Sequence, residues 1–253
     1  MFESRAEFSG VGVAFTDRLG GVSPSPFDTL NLGRSDIDAV DRVVANHRLV
    51  REAIGVGKTV TIAQVHGKDV WNVTADDAAA WHDGAEVGDS IPGQARLVKA
   101  DAMVTDVAGV ALCIRTADCA PVMLADASQR VIGAAHAGRR GLLDEVLPEV
   151  VEAMRGLGAL KIIAWIGPHI CGRCYEVPAD MAADAGAVIP EAVARTRWGT
   201  PAIDMGRGAE AQLRSLGCDV AIVGRCTYET PTLYSHRRDR GATGRQAGLI
   251  WLS

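Results

Sequence analysis

Asp101-Ala102-Met103-Val104-Thr105-Asp106, Gly109-Val110-Ala111-Leu112-Cys113-Ile114, Pro121-Val122-Met123-Leu124-Ala125-Asp126 and Val131-Ile132-Gly133-Ala134-Ala135-His136 follow one another with only short turns between them. Each is an apolar run too short for a helix and bounded by Gly, Asp or Pro, which is how a strand buried on both faces reads. No gap between them has room for the crossover helix that a parallel neighbour needs. Consecutive strands of this kind predict an α+β protein with a mixed β-sheet or sandwich core and flanking helices, rather than a doubly wound parallel sheet.

Working outward, further strands are predicted at 162–168 and 220–223. A short strand enters a glycine turn over 8–22, a strand at 60–66 has 70–73 as its hairpin partner, and a final edge strand runs over 247–252. A helix is predicted from Asp36, with Val40, Val43, Val44, Leu49, Val50 and Ile54 at helical spacing, and Gly55 and Gly57 stop it. Other helices are expected at 142–157, interrupted by Pro148, and at 179–187 and 206–216. Gly138 to Gly141 reads as a turn and 74–98 as irregular. With no repeat, linker or low-complexity tract in sight, 1–253 is expected to form a single domain.

The 253 residues are 48% hydrophobic and 23% charged, which excludes a disordered chain. Lys plus Arg is 26 against 31 Asp plus Glu, a net charge of -5. A mildly acidic surface argues against nucleic acid or an anionic membrane as partner, because both need a basic footprint. No apolar stretch approaches the ~20 residues that span a bilayer, and the N-terminus, Met1 to Glu7, has no positive n-region followed by an apolar h-region. A cytoplasmic protein is expected, as a monomer or weak homo-oligomer. In a reducing compartment the six cysteines would be free thiols, metal ligands or catalytic groups.

His66, Cys119 and His136 each fall at or just beyond a predicted strand end. Two imidazoles and a thiolate suit zinc, and three protein ligands leave a fourth position open, as a catalytic site requires. An inert buried cysteine and two hydrogen-bonded histidines fit the spacing equally well. Asp118 reads either as a partner fixing one imidazole's tautomer or as a solvated turn residue, and Asp101 has the same ambiguity. Cys171-Gly172-Arg173-Cys174 lacks a second C-x-x-C to complete a zinc site and reads as two thiols in a loop. Arg237, Arg238 and Arg245, with Arg139 and Arg140 in a second basic turn, suit an anion such as phosphate, or surface ion pairs. Phosphate-loop, dinucleotide and serine-hydrolase fingerprints are absent from the sequence.

The ordered set Asn31-Leu32-Gly33, Gln64-Val65-His66-Gly67, Ala100-Asp101-Ala102-Met103-Val104-Thr105-Asp106, Thr116-Ala117-Asp118-Cys119-Ala120-Pro121-Val122, His136-Ala137-Gly138, Ile166-Gly167-Pro168, Tyr175-Glu176-Val177 and Tyr234-Ser235-His236-Arg237-Arg238-Asp239 with Thr243-Gly244-Arg245 resembles the YfiH-like family. That family is also called the laccase-domain or multicopper polyphenol oxidase family. The resemblance implies a single α+β domain with zinc on His66, Cys119 and His136. It also implies phosphorolysis of adenosine, inosine, guanosine or methylthioadenosine, with phosphate as co-substrate, and in some members deamination of adenosine. On that reading Asp118 orients a ligand, while Asn31, Arg238 and Arg245 lie on the substrate side, the arginines holding phosphate. A bacterial branch is associated with editing of peptidoglycan precursors, so a thiol hydrolase with Cys119 as nucleophile stays open. Copper oxidation of phenols is disfavoured: a multicopper oxidase needs about eight further histidines, and the chain has six in all. Arg139 stands where the family pattern His-Ala-Gly-Trp-Arg-Gly has Trp, exchanging an aromatic surface for a charge.

Overall fold

The computed structural model describes residues 1–34, 37–82, 84–85 and 97–253. In chain order the elements are β1 (Phe2–Phe8), β2 (Val11–Thr16), α1 (Val40–Ile54), β3 (Lys58–Val60), β4 (Val70–Asn72), α2 (Ala75–Ala80), β5 (Ala102–Thr105), β6 (Val110–Thr116), β7 (Ala120–Asp126) and β8 (Val131–Ala137). There follow α3 (Arg139–Leu143), α4 (Val146–Gly156), β9 (Ile163–Ile166), α5 (Ala179–Val188), β10 (Val193–Arg195), β11 (Pro201–Ile203), α6 (Met205–Ser215), β12 (Asp219–Ile222) and β13 (Gln246–Leu252). Two mixed sheets form the centre, one ordered β1-β2-β13-β6-β3 and the other β12-β9-β7-β8-β5-β4, with β10-β11 a small separate hairpin.

The alternation of each strand assigns its layers. In β6, Val110, Leu112 and Ile114 meet Met103, Met123 and Ile132 of the second sheet, while Ala111 and Cys113 pack on the other side with Val50 and Ile54 of α1. In β7, Met123 and Ala125 face the first sheet, while Val122 and Leu124 face Val150 and Met154 of α4 and Leu213 of α6. The order is therefore helix, sheet, sheet, helices. Because both sheets are covered on both faces, their strands read as continuous apolar runs, and the α+β sandwich expectation holds. Among the described residues, no helix is long and apolar enough to cross a membrane.

Several local expectations are corrected. β13 is no edge strand: it lies between β2 and β6 and is buried at every position. The predicted hairpin of 60–66 with 70–73 does not form. β3 pairs parallel with β6 in the first sheet and β4 parallel with β5 in the second, so 61–66 crosses from one sheet to the other. Gly138 to Gly141 is not a plain turn, since Gly138 caps α3. The break between α3 and α4 lies at Glu145, whose φ is 70°. Pro148 falls in the first turn of α4, where a missing N–H leaves no bond unmade. α2 was expected to be irregular but is started by a capping box between Thr74 and Asp77. β1, β10 and β11 were not anticipated; β1 carries exposed charges on a sheet edge, as edge strands do. The predicted helix start at Asp36 and most of the irregular stretch after 82 lie outside the described residues.

Candidate metal centre and its cavity

Three segments bring the candidate ligands together. His136 is the penultimate residue of β8 and pairs with Pro121 of β7, so Cys119, just before β7, lies alongside it. His66 ends the crossover between the sheets. Both presenting turns hold a non-glycine residue in the left-handed region, His66 at φ 61° and Asp118 at φ 91°. Such backbone persists only where the surroundings impose it. Around His66 the imposing group is Asp101: its carboxylate accepts the amides of Val65 (3.0 Å), His66 (2.9 Å) and Gly67 (2.7 Å). Around Asp118 it is the loop after β12 and the arginine segment. Thr227 Oγ1 donates to the Asp118 carboxylate at 2.6 Å, the Arg237 amide donates at 2.7 Å, and the Ile170 amide donates to the Asp118 carbonyl at 2.9 Å.

Asp101 also lies 2.8 Å from His136 Nδ1. That bond makes Nδ1 the donor and turns the lone pair of Nε2 toward the cluster. His66 Nε2 is 4.0 Å from Cys119 Sγ, the two imidazole rings meet edge to face at 4.8 Å, and the three ligand atoms lie within 4.8 Å of one another. Gly138 makes this possible: a Cβ there would stand 2.9 Å from His66 Cδ2 and 3.1 Å from Cys119 Sγ, displacing a ligand. Burial pushes the Cys119 thiol up, but the charge and hydrogen bonds of His136 and His66 outweigh it and bring it down to about 6. Burial opposes the His136 imidazolium, yet the Cys119 thiolate and Asp101 raise it to about 9. The donor set fits a metal ion: two imidazole nitrogens and a sulfur converge from separate segments, with one tautomer held from behind.

The cluster opens into a cavity of about 760 Å³, within the usual range for small-molecule sites. Arg34, Lys99, Arg115, Arg139, Arg140, Arg237 and Arg245 line it, against the carboxylate of Asp118. A strongly cationic hollow in a chain of net charge -5 is built for an anion. Tyr175 also lines it, with the Arg237 guanidinium 4.9 Å over its ring.

The other predicted site residues divide. Arg245 lines the cavity, with Nη1 on the carbonyls of Thr243 and Gly244. Arg238 does not line it. Its guanidinium is spent on the Asp239 carboxylate and the carbonyls of Thr227, Thr230 and Leu233, so it ties loops together. Asn31 is buried and bonds Gly33, Asp38 and the Arg245 amide, which makes it a support for the Arg245 backbone. Asp118 orients neither imidazole; Asp101 does that for His136. Arg34, Lys99 and Arg115 were not anticipated, because isolated basic residues far apart in sequence carry no local signal. Tyr175, quoted only within a motif, lacked one too.

A two-sheet sandwich with a His, Cys, His cluster opening into a cationic cavity defines a class of α+β proteins with a candidate metal centre beside an anion-suited hollow. The family model described as "Multi-copper polyphenol oxidoreductase laccase" matches residues 12–253, and the chain belongs to this laccase-like, YfiH family. It is 45% identical over 100% of both chains to a protein of Streptomyces coelicolor named purine nucleoside phosphorylase. It is 35% identical to purine nucleoside phosphorylase YfiH of Escherichia coli, covering 96% of this chain and 94% of that one. Among solved structures it superposes on a Bacillus licheniformis protein titled hypothetical protein YfiH with TM-score 0.86, at 28% identity over 98% of this chain and 94% of that one. It superposes on YlmD of Geobacillus stearothermophilus with TM-score 0.84, at 30% identity over 99% and 98%.

Proposed function

We propose that this chain is a zinc-dependent purine nucleoside phosphorylase. On this reading it converts adenosine, inosine or guanosine plus phosphate into free base and ribose 1-phosphate, and methylthioadenosine plus phosphate into adenine and 5-methylthioribose 1-phosphate, as one catalytic domain over 1–253 working in the cytoplasm as a monomer or weak homo-oligomer. The observation that carries the reading is the pairing of the His66, Cys119, His136 cluster with a wall of guanidinium groups in one cavity. The names of the relatives point the same way.

In phosphorolysis a phosphate oxygen attacks the ribose C1′ while the base departs with developing negative charge. Arg245 and the Arg139-Arg140 pair hold the phosphate dianion and spread its charge, which planar guanidinium forks do well. The Tyr175 ring and the Arg237 plane over it give the purine a flat surface, replacing the aromatic face that Arg139 removes. His66, Cys119 and His136 would hold zinc, which when bound supplies Lewis-acid stabilisation of negative charge in the transition state. Asp101 keeps the proton on His136 Nδ1, so that Nε2 stays a donor of electrons. Deamination of adenosine is the second activity proposed for the same open site, read as ammonia release.

One observation favours a second reading, a thiol hydrolase: Cys119 Sγ lies within 4.8 Å of the His66 and His136 ring nitrogens, whose charge and hydrogen bonds outweigh burial and bring its thiol down to about 6. Chelation separates the two, because a thiol hydrolase keeps its activity when stripped of metal. A copper oxidase is not favoured, since His47 is buried against the Leu32 carbonyl and His169 against that of Gly167, leaving too few histidines for a copper cluster. The test of the main reading is incubation of purified protein with each nucleoside, with and without phosphate. Free base and the corresponding pentose 1-phosphate appear only with phosphate if the proposal holds; equal release of base without phosphate overturns it.

A further inference from the structure

The sequence leaves Cys171 and Cys174 as an incomplete C-x-x-C. The fold supplies the other half. β9 and β12 are parallel neighbours, with Ile163 to Ile166 opposite Asp219 to Ile222, and a bridge from His169 to Cys226 continues their pairing. The loops that leave them therefore emerge side by side at one end of the second sheet. One carries Cys171-Gly172-Arg173-Cys174, the other Cys226-Thr227-Tyr228-Glu229. The three sulfurs and a Glu229 carboxylate oxygen all lie within 4.8 Å of one another.

The backbone ties the two loops together at the sulfurs: the Cys171 amide donates to Cys226 Sγ at 3.4 Å. Both turns close on themselves: Cys174 and Tyr175 donate to the Cys171 carbonyl, and Thr230 donates to the Cys226 carbonyl. Each is a C-x-x-ligand turn, and together they give the arrangement of a paired-turn zinc site with glutamate in place of a fourth cysteine. Three thiolates and a carboxylate this close repel unless a cation lies between them. Arg197 bonds Glu229 Oε1 at 2.7 Å, and a carboxylate has a second oxygen to offer.

We propose that Cys171, Cys174, Cys226 and Glu229 form a second metal site, which takes zinc and closes it with four protein donors. Thiolate-rich tetrahedral sites select zinc, and four protein ligands leave no position for a substrate, so the site is structural. It clamps two loops that position the cavity. Thr227, between two of its ligands, holds Asp118 beside Cys119, and Tyr175, next to Cys174, lines the cavity. Losing this ion therefore raises KM for the nucleoside and loosens both loops, without removing a group that touches the substrate.

The site goes beyond the phosphorylase reading, and its test does not depend on it. Zinc per chain is measured on purified wild type, on His66→Ala/Cys119→Ser/His136→Ala, and on Cys174→Ser and Cys226→Ser. The triple variant retains one tightly held zinc, and Cys174→Ser and Cys226→Ser each lose one relative to wild type. Wild type holding one ion that the triple variant keeps would sink the first centre and leave this site standing. Should the cysteine variants fail to fold, cobalt substitution of the triple variant decides. Intense thiolate-to-cobalt charge transfer with tetrahedral ligand-field bands is expected. A triple variant that binds neither zinc nor cobalt, or a disulfide among these cysteines in freshly purified protein, overturns the proposal.

Discussion

Asp101 shows how one side chain can hold two halves of a site. It is fully buried, accepts three successive amides of the His66 turn, and bonds His136 from behind. Asp101→Asn keeps the shape but offers an amide where two of the acceptor oxygens' bonds were made. Zinc affinity should fall roughly 10- to 100-fold, the usual effect of removing such a partner, and competition against a chromophoric chelator measures it. Unchanged affinity would show that the His66 turn and the His136 tautomer hold without it. Cys119 gives a pH-dependent prediction for metal-stripped protein. Its thiol, raised by burial but lowered more by His136 and His66 to about 6, is a thiolate above that pH and a thiol below. Alkylation by iodoacetamide should therefore rise through a midpoint near 6 and be flat by neutrality, whereas His136→Ala should move the midpoint toward the ordinary thiol range near 9. A wild-type midpoint near 9 would contradict the ion pair.

Among the elements, the β7-β8 hairpin is pinned by Asp126. One carboxylate oxygen accepts Ser128 Oγ and the amides of Ser128 and Gln129 inside the turn, and the other accepts the amides of Leu160 and Lys161 ahead of β9. Burial raises its pKa, but these donors outweigh burial and bring it to about 2. A carboxyl lowered on folding contributes stability that is complete above its unfolded value near 4 and is lost as pH falls through about 2, worth about 2 kcal/mol at neutrality. Asp126→Asn should cost about that much in urea unfolding at pH 7, and the gap should close in acid; a loss under ~0.5 kcal/mol would contradict the assignment. The strands around this hairpin were legible as sequence because each is apolar on both faces and bounded by turn residues. β13 was misread because chain ends usually lie at sheet edges, although its own Ala247-Gly248-Leu249-Ile250-Trp251-Leu252 run is as apolar as that of β6. β3 and β4 were misread because proximity in sequence suggested a hairpin, while the burial of Val60 and Ile62 between the sheets demanded a crossover.

For the whole molecule, the sandwich matters because its two sheets bring together segments that sequence keeps apart. His66, Cys119 and His136 were readable as candidate ligands from residue type and strand-end position. Their convergence was not readable, because it depends on β6 and β7 lying in different sheets and on 61–66 bridging them. The cationic cavity was invisible for the same reason: its arginines and lysine come from six stretches of a chain that is acidic overall. Arg238 reads as an anion ligand in sequence because it has the chemistry, but loop carbonyls and Asp239 already occupy its donors. The account rests on one ion held by those three residues at the mouth of that cavity. The most direct measurement is a crystal structure of zinc-loaded protein with anomalous data at the zinc edge. A peak about 2.0 Å from Nε2 of His66 and His136 and about 2.3 Å from Cys119 Sγ, facing the arginines, is the predicted result; no anomalous density between these side chains in active, zinc-loaded crystals would contradict it.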